Sequence, residues 1–529
     1  MSNNISIYGS HNAAIALKLD GRYRVIEVER FLNKKNQSLT QYRSCVYPYV
    51  VMDNIVSYLD RMLSVPNQFD NCIYSNTEGY YGDTLVLAHT KIKASNYINS
   101  PWHHMCHAAG TFYQSPYREA IVFSYDGGGS DGCFCIYHAT RENSVSELAR
   151  IDLDLGFAYM ILGHYLEPIK FESDLNIGNL VYAGKLMGLC GYGKVRQEWV
   201  DSFISFYEAK PNGINYGELT AKLGERIGVA FDIFNRVELN TAVDIAATSQ
   251  YVFEKLFFSS VESYLNLYPD LPVCVTGGCA LNVVCNTKLK EEFNREVFVA
   301  PNSNDCGIAL GMLLNYEKPA EQVDITYCGL PVLDPFTIAE SIETRYTIPY
   351  DIHRAASILR DGEIVGVVRG NSEHGPRALG NRSILCNPAI AGMKDKLNKL
   401  VKQREWYRPF APVVRLEDVE KYFNWKGESR FMSFYCTVKD QWREQLAAIT
   451  HIDGTARLQT VTREQNTYLY DLLTEFDRIA NFGVLLNTSF NINGKPLINT
   501  YKDALHMLDK SGINKLFTDD FIVYKELNI

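Results

Sequence analysis

The sequence predicts an α/β protein with two domains. At 529 residues the chain is too long for one ordinary hydrophobic core. Several apolar strand candidates end in glycine-containing turns, and some of these turns precede helix candidates. Between Pro331 and Tyr350, proline, threonine and short polar runs replace the periodic segments. We therefore expect a first domain at residues 1–345 and a second at residues 346–529.

Composition and charge exclude some classes of protein. Apolar and charged contents of 46% and 21% are those of an ordinary globular protein. The net charge of −9 provides no electrostatic footprint for nucleic acid, although a local basic cleft remains compatible with it. No apolar run approaches the roughly 20 residues of a membrane span. The 13 cysteines include no C-x-x-C pair, and the N-terminus has no secretory pattern. We expect reduced thiols and a cytoplasmic protein.

The first segment predicts a β-hairpin with a histidine at its mouth. The strands Ile5–Tyr8 and Ala13–Leu19 flank the turn Gly9–Asn12, and a third strand follows at Arg24–Val28. His11 lies in the turn. A histidine tolerates unusual backbone angles there, so the pattern alone also fits a purely structural role.

Two histidines have the spacing of metal ligands on one helix face. His103 and His107 follow Pro101–Trp102 at positions i and i+4. Core or capping histidines have the same spacing, so that alternative remains open.

Two strand candidates end in glycine turns that favour an anion. Glu119–Tyr125 leads into Asp126 and three glycines, a pattern typical of a phosphate-cradling turn that also presents a carboxylate. A hairpin without a ligand can use the same glycines, so that alternative remains open. Val273–Val275 leads into Gly277–Gly278 and a helix start. A little further on, Asp305 precedes the apolar helix Ile308–Leu314, where an N-cap role is the alternative.

The second domain is organised around the stretch Gly362–Pro412. The strand Ile364–Val368 precedes the glycine- and proline-containing loop His374–Leu385, and a basic segment follows at Lys402–Pro412. A second strand is expected at Gly483–Leu486. Forked guanidinium groups on a rigid frame hold oxyanions such as phosphate, and a solvated basic face is the alternative. The five basic side chains of the stretch are Arg377, Arg382, Lys402, Arg404 and Arg408.

These segments resemble the O-carbamoyltransferase family of antibiotic and nodulation-factor tailoring enzymes over essentially the whole chain. The matching motifs of the first domain are HNAAIAL, HHxxHA, SYDGGGS, GKLMGLCGYG, TGGCALN and NDCGIALG. Those of the second are HGPRALGNRSIL, REWYRPFAPV, HIDGTARLQTV and NTSFNINGKPL. The order of so many motifs makes a chance match very improbable.

The resemblance implies both folds and a reaction. The first domain is expected to have the actin- and hexokinase-type fold of the threonylcarbamoyl-transfer proteins. The second is expected to be an α/β domain of the threonylcarbamoyl-AMP synthase type. There, carbamoyl phosphate and ATP would give carbamoyl-adenylate and pyrophosphate. In the first domain a hydroxyl of the acceptor would take the carbamoyl group, and AMP would leave.

The resemblance also implies roles for individual residues. His11 would be the general base on the acceptor hydroxyl, and Lys34 or Lys35 would reach a phosphate. Metal ligands would hold Fe(II), with Mg²⁺ and Mn²⁺ as alternatives: His103, His107, Asp126 and Asp305. Carbamoyl phosphate would contact Arg377, Lys402, Arg408, Arg457, Asn487 and Ser489. The nucleotide would contact Gly127, Gly128, Lys185, Gly277, Gly278 and Asn282.

The chain departs from the family pattern at three places. Asn12 stands where an Asp usually follows the histidine, so a carboxylate that orients the imidazole or binds metal is missing there. Cys190–Gly191 replaces Ala–Pro, and His374 replaces an aromatic or hydrophobic residue.

Two other functions and several acceptors remain open. One is a tRNA threonylcarbamoyladenosine-type enzyme, which should bring a basic surface, and the other is a nucleotide-binding regulator without catalysis. Small molecules, sugars and 5-hydroxymethylpyrimidines in nucleotides or DNA all offer a hydroxyl, although the charge disfavours a nucleic acid. We expect the stretches Tyr42–Asn99 and Leu153–Asp174 to shape the acceptor cleft. No membrane partner is expected, and the oligomeric state is open, a dimer included.

Overall fold

The computed structural model describes residues 2–39, 48–65, 68–75, 92–171, 175–209, 216–342, 345–492 and 494–525. The chain divides into two compact units. Unit 1 comprises Met1–Leu32 and Asn36–Ile325, and unit 2 comprises Asn33–Lys35 and Thr326–Ile529. This division precedes the domain boundary expected after residue 345, which stays a prediction. The expected acceptor stretches Tyr42–Asn99 and Leu153–Asp174 lie in part outside the described residues.

Unit 1 combines strands and helices, as the α/β prediction requires. Its strands are β1 (Asn4–Tyr8), β2 (Ala14–Leu19), β3 (Arg22–Glu27), β4 (Gln68–Tyr74), β5 (Lys93–Asn99), β6 (Glu119–Gly129), β7 (Gly132–Thr140), β8 (Ser144–Ile151), β9 (Val273–Thr276) and β10 (Val297–Val299). Its helices are α1 (Val28–Leu32), α2 (Pro48–Leu63), α3 (His103–Gln114), α4 (Leu155–Ile161), α5 (Leu175–Cys190), α6 (Val200–Glu208), α7 (Tyr216–Ile227), α8 (Leu239–Leu267), α9 (Val283–Glu292) and α10 (Ile308–Glu317).

The two sheets of unit 1 have the same strand order. The first runs β3-β2-β1-β4-β5 and the second β8-β7-β6-β9-β10. In each sheet the first three strands are antiparallel and the last two extend the sheet in parallel. The predicted N-terminal hairpin is confirmed, with Tyr8 of β1 opposite Ala14 of β2. The central strand β1 ends just before the turn of His11, and Asp126 lies in the irregular last part of β6, after Tyr125.

Helices α3 and α10 pack against each other, and each covers one sheet. α10 packs on β1 and β2, whereas α3 packs on β6 and β9. The helices approach closely at Gly110 and Gly311, where a Cβ atom on Gly311 would lie 2.0 Å from the Cys106 carbonyl oxygen. Only glycine permits this approach. It brings His107 on α3 near Asp305, which precedes α10.

Unit 2 also contains both strands and helices. Its strands are β11 (Thr347–Pro349), β12 (Val365–Val368), β13 (Arg382–Cys386), β14 (Ala411–Arg415), β15 (Phe423–Asn424), β16 (Phe434–Val438), β17 (Thr455–Val461), β18 (Val484–Ser489), β19 (Lys515–Phe517) and β20 (Phe521–Tyr524). Its helices are α11 (Phe336–Ile342), α12 (Ile352–Arg360), α13 (Met393–Lys396), α14 (Val419–Tyr422), α15 (Asp440–Arg443), α16 (Thr467–Ala480) and α17 (Tyr501–Lys510).

One ten-stranded sheet organises unit 2, in the order β11-β20-β19-β12-β13-β18-β14-β17-β16-β15. The strands predicted at Ile364–Val368 and Gly483–Leu486 are confirmed as β12 and β18. Assigning Arg382–Leu385 to a loop was wrong, because these residues form β13 between β12 and β18. The run Ser383–Cys386 is apolar enough for a strand, but it follows a segment rich in turn-forming residues that dominated the local pattern.

Within the described ranges no helix has the length and apolar character needed to cross a membrane. Every cysteine in the same ranges is a free thiol, as predicted.

Candidate functional site

Helix α3 carries His103 and His107, and the β6–β7 hairpin fixes the start of this helix. The N–H of His103 donates to Ser130 Oγ at 3.3 Å. A Cβ atom on Gly129 would lie 2.7 Å from Cδ2 of His103, so the imidazole rests directly on the glycine backbone. On the next residue, the ring of His104 is 2.7 Å from Ser124 Oγ and 3.0 Å from the Gly132 carbonyl oxygen. The expected turn at Asp126 is wrong in its start, because Asp126 to Gly129 belong to β6 and the hairpin turns at Ser130 and Asp131. The end of this hairpin also supports the histidine helix, a role that the sequence did not reveal.

Two backbone N–H groups hold the carboxylate of Asp126. Its Oδ1 accepts the N–H of Gly127 and its Oδ2 that of Gly278, both at 2.6 Å. Gly277 has φ 89°, and a Cβ atom there would lie 2.1 Å from the Tyr125 carbonyl oxygen. The Gly277–Gly278 turn therefore has to be glycine to bring its N–H to Asp126.

The structure brings the four predicted metal ligands together. Their ligand atoms all lie within 4.8 Å of one another. Nε2 of His107 is 3.2 Å from Nε2 of His103, 3.4 Å from Asp126 Oδ2 and 3.3 Å from Asp305 Oδ1. Ligand atoms with bonds of about 2.1 Å to one ion are about 3.0 to 3.4 Å apart. Two imidazoles and two carboxylates at this spacing fit a divalent metal ion.

The site is buried, and its charges control the ionisation of its members. Burial lowers the pKa of His107, but hydrogen bonds to Asp126 and Asp305 outweigh it and raise the pKa to about 9. For His103 burial prevails, and its pKa lies below the usual value. Burial raises the pKa of Asp305, but His11, His103 and His107 reverse this and hold the pKa well below its usual range. Asp305 is therefore ionised. The alternative of an N-cap role is wrong, because Gly307 occupies the N-cap position of α10.

His11 lies beside the four-residue set and outside it. Its Nε2 is 3.2 Å from Asp305 Oδ2, and its Nδ1 is 3.2 Å from Asn12 Oδ1. The side chain is 29% exposed, so a substrate can reach it. The carboxylate that is missing at position 12 is thus supplied by Asp305, nearly three hundred residues away in sequence.

Some of the predicted nucleotide contacts already have hydrogen-bond partners within the protein, whereas others are open. At Gly128 a Cβ atom would meet nothing within 4 Å, so the backbone is open there. Lys185 is buried and donates from Nζ to the Lys170 carbonyl oxygen at 3.1 Å. Asn282 caps α9 by accepting the N–H of Cys285 at 3.1 Å and also bonds to Gln250. The N–H groups of Gly127 and Gly278 are bonded to Asp126.

In unit 2, three arginines form a cluster. Burial, and then the charge of Arg408, lower the pKa of Arg377 to about 10. Burial, Arg377 and Arg408 lower the pKa of Arg457 well below its usual value. Within the described ranges, the side chains of Arg377 and Arg457 make neither a hydrogen bond nor an ion pair, and Nε of Arg457 is buried without a partner. Arg408 lies 3.6 Å from Glu405 Oε2.

The other predicted carbamoyl phosphate contacts are tied into the protein. Nζ of Lys402 donates to the Ser489 carbonyl oxygen at 2.7 Å, to Ser489 Oγ at 3.0 Å and to the Asn491 carbonyl oxygen at 2.8 Å. Nδ2 of Asn487 donates to Gln459 Oε1 at 2.6 Å and to the Ala378 carbonyl oxygen at 3.2 Å. Asn487 and Lys402 therefore shape the loops around the arginines.

Two basic residues of the stretch Gly362–Pro412, Arg382 and Arg404, bond to acceptors of the protein itself. Arg382 is fully buried on β13 and donates to the carbonyl oxygens of Arg369 and Gly370 at 2.7 and 3.1 Å. Arg404 donates to Asn398 Oδ1 at 2.8 Å and stacks on Phe410. In both cases the guanidinium satisfies protein acceptors instead of facing an open site.

Glu373, which no sequence pattern singled out, holds the loop that follows Arg377. Glu373 is fully buried, and its Oε1 accepts the N–H groups of Leu379, Asn381 and Arg382 at 2.7, 2.8 and 3.1 Å. The one sequence signal was the position of Glu373 just before the Gly375–Pro376 turn. A buried carboxylate needs several hydrogen-bond donors, and the backbone N–H groups of the loop after such a turn can supply them.

The structure distinguishes Lys35 from Lys34. Unit 2 includes Asn33–Lys35, where Asn33 bonds to Asp503 and Lys495 at 3.1 and 3.2 Å. The charge of Lys35 is one of those that lower the pKa of Lys402, after burial and two arginines. Lys34 is exposed. Lys35 is therefore the lysine that adds positive charge near Lys402.

Comparisons with known proteins match most of the chain. Residues 7–314 match the family model described as Carbamoyltransferase N-terminus, and residues 356–525 match that described as Carbamoyltransferase C-terminus. Nodulation protein NolNO of Sinorhizobium fredii is 32% identical over 80% of this chain and 63% of its own length. Nodulation protein U of Azorhizobium caulinodans is 29% identical over 92% of each chain. A phosphate- and nucleotide-bound full-length HypF covers 60% of this chain and 46% of its own, with 15% identity and a TM-score of 0.36.

Proposed function

The chain belongs to the carbamoyltransferase family, and from this premise we propose that it carbamoylates a hydroxyl group of a small-molecule, sugar or nucleoside acceptor. The donor is carbamoyl phosphate, and ATP is the co-substrate. The reaction has two stages. In the first, water releases phosphate from carbamoyl phosphate, and an oxygen of the resulting carbamate attacks the α-phosphorus of ATP, so that carbamoyl-adenylate forms and pyrophosphate leaves. In the second, the carbamoyl group is transferred to the acceptor and AMP is released.

The arginines of unit 2 are the observation that carries this proposal. Removing a charge from water without giving it a partner costs free energy. Arg377 and Arg457 are half-buried beside Arg408, and desolvation lowers the pKa of both side chains. An anionic ligand with several oxygens, such as carbamoyl phosphate, compensates these charges with charge-assisted hydrogen bonds. We therefore assign adenylate formation to unit 2, in keeping with a fold of the threonylcarbamoyl-AMP synthase type, and Lys35 adds positive charge there.

Unit 1 is assigned the transfer stage. Its two sheets with one strand order and its paired helices α3 and α10 support a duplicated fold of the actin and hexokinase type. The open backbone at Gly128 provides room for the nucleotide phosphate beside Asp126. Lys185 and Asn282 act in this scheme mainly by holding the surrounding segments.

His11 is the general base of the proposed transfer. With its Nε2 proton donated to Asp305, the neutral imidazole has its lone pair on Nδ1. The Asn12 amide oxygen, 3.2 Å from Nδ1, cannot donate to this lone pair, so the acceptor hydroxyl displaces it. Nδ1 takes the proton of the acceptor hydroxyl, whose oxygen then forms a bond to the carbamoyl carbon. The bond from this carbon to the phosphate oxygen breaks, and AMP leaves.

A divalent ion fits the set of His103, His107, Asp126 and Asp305, and mixed imidazole and carboxylate ligands suit Fe(II), with Mn²⁺ as an alternative. Such an ion supplies positive charge for the phosphate of the leaving AMP. The four side chains hold it, and the N–H groups of Gly127 and Gly278 keep the Asp126 carboxylate turned toward the histidines.

The test follows both stages in one protein. We expect release of pyrophosphate from ATP only when carbamoyl phosphate is present, and its loss in Arg408→Ala. Arg463→Ala is the matched control, because Arg463 is a surface arginine of the same unit, 63% exposed. A mass-spectrometric screen of hydroxyl-bearing compounds, including nucleotides and DNA, then searches for the mass increase of one carbamoyl group. Undiminished pyrophosphate release by Arg408→Ala contradicts the assignment of unit 2.

A further inference from the structure

Asp305 is contacted on both oxygens of its carboxylate. Oδ1 faces His103 and His107, at 3.6 and 3.3 Å from their Nε2 atoms. Oδ2 lies 2.9 Å from the hydroxyl of Tyr8 and 3.2 Å from Nε2 of His11. The ionised carboxylate only accepts hydrogen bonds, so Tyr8 is the donor. The Asp305 side chain thus lies between the two histidine ligands on one side and the proposed base, His11, on the other.

Tyr8 is held in place by the sheet. It is the last residue of β1, is 2% exposed and pairs with Ala14 of β2. A buried tyrosine hydroxyl needs a hydrogen-bond partner, and this one has the Asp305 carboxylate. His11, in contrast, lies on a turn and is 29% exposed. Of the two neighbours of Oδ2, Tyr8 is the one with a fixed position.

We propose that Tyr8 is a positioning residue for the metal and base of the transfer site. Its hydroxyl fixes the rotation of the Asp305 carboxylate, which keeps Oδ1 on the side of the histidines and Oδ2 against His11. This inference rests on the proposed function, because it assigns Tyr8 to the site of carbamoyl transfer. Tyr8 contacts neither substrate nor metal and acts through Asp305.

The consequence is a weaker metal site when the hydroxyl is removed. Without it, the contact of Oδ2 within the described part of the chain is that with the half-buried His11, and the carboxylate can rotate. Loss of a hydrogen bond to a metal ligand typically lowers metal affinity 10- to 100-fold. The change in ligand orientation also alters the coordination geometry, which the visible spectrum of bound Co²⁺ reports.

The experiment titrates purified protein with Co²⁺ and compares wild type, Tyr8→Phe and Tyr113→Phe. Tyr113 is the matched control, because it is fully buried on α3 and its hydroxyl has no hydrogen-bond partner within the described ranges. We expect Tyr8→Phe to bind Co²⁺ about 10-fold more weakly or worse, with a shifted spectrum. Tyr113→Phe should match the wild type. Wild-type affinity and an unchanged spectrum in Tyr8→Phe overturn the proposal.

A second measurement separates this inference from the proposed function. Pyrophosphate release from ATP and carbamoyl phosphate is assigned to unit 2, and Tyr8→Phe should retain it in full. Absence of this release in the wild type refutes the proposed function, while the Co²⁺ comparison still decides the role of Tyr8. A wild type that fails to bind Co²⁺ overturns the inference about Tyr8, while pyrophosphate release still decides the adenylate stage.

Discussion

The carboxylate of Asp131 accepts the backbone N–H of His104, at 3.1 Å through Oδ1 and 3.2 Å through Oδ2. Trp102, the residue at the N-cap of α3, makes no capping bond through its side chain. The first turn of the helix is instead capped from the β6–β7 hairpin, the element that also supplies Asp126. The β6–β7 hairpin therefore fixes the position of the Asp126 carboxylate relative to helix α3.

Replacing Asp131 by alanine should weaken both the fold and the metal site. Loss of a helix cap costs about 1 kcal/mol of the free energy of unfolding, and a shifted helix start moves His103 and His107 away from the carboxylates. Urea denaturation and Co²⁺ titration measure the two effects. Asp131→Asn is the control, since asparagine caps almost as well. An alanine variant with wild-type values in both assays contradicts this role.

Replacing Arg457 by methionine should stabilise the ligand-free protein and abolish pyrophosphate release. The variant removes one of three neighbouring, partly buried guanidinium groups whose charges repel one another. We expect a gain of roughly 1 to 3 kcal/mol in the free energy of unfolding without ligand. Carbamoyl phosphate should stabilise the wild type but not the variant.

The control for this prediction is Arg463→Met, at an exposed arginine that pairs with Asp471. It should change the free energy of unfolding by less than about 0.5 kcal/mol and retain pyrophosphate release. A destabilised Arg457→Met that still responds to carbamoyl phosphate shows that the cluster is structural.

The parts of the site that the sequence predicted are those whose residues form a recognisable pattern within a short segment of the chain. The spacing of His103 and His107 and the glycines after Asp126 are visible in short windows, and most strands and helices have clear periodicity. The contacts of Asp305 with His11 and Tyr8 join residues almost three hundred positions apart, so no local pattern carries them. They follow from the packing of α10 on β1 and β2.

Charge alone misled the sequence analysis at Arg382. A cluster of basic residues predicts an anion site, but whether each side chain faces the site depends on the alternation of a strand. β13 was not predicted, so the inward direction of Arg382 was not either. The unpartnered state of Arg377 and Arg457 is likewise a property of three-dimensional burial, and it distinguishes them from the structural arginines.

Replacing His11 by asparagine should abolish transfer and leave the other functions intact. The amide can still donate to Asp305 but has no basic nitrogen, so we expect a loss of about 100-fold or more in transfer. Carbamoylated product is measured with the acceptor that the mass-spectrometric screen identifies. Co²⁺ binding and pyrophosphate release should be those of the wild type, because His11 is outside the metal set.

His138→Asn is the matched control for this variant. The side chain of His138 is 29% exposed, as is that of His11, but it pairs with Glu119 away from the proposed site. It should transfer at the wild-type rate. Transfer by His11→Asn at the rate of this control excludes His11 as the base.

The carboxyl of Asp154 predicts a pH dependence of stability. It is 8% exposed and accepts the N–H of Phe157 at 2.8 Å and the hydroxyl of Tyr216 at 2.9 Å. Burial outweighs these bonds and raises its pKa to about 6. The folded state therefore holds this proton more tightly than the unfolded state, so the contribution to stability is complete at low pH and is lost as pH rises from about 4 to above 6.

Asp154→Asn should remove this part of the pH dependence. A pKa difference of about two units corresponds to about 3 kcal/mol, so the variant should gain up to that amount relative to the wild type between pH 4 and pH 8. Its amide oxygen still accepts the N–H of Phe157. Urea denaturation across this range measures the difference, with Asp440→Asn as the control, because Asp440 is 89% exposed. Parallel profiles for the wild type and Asp154→Asn would show that this carboxyl titrates alike in both states.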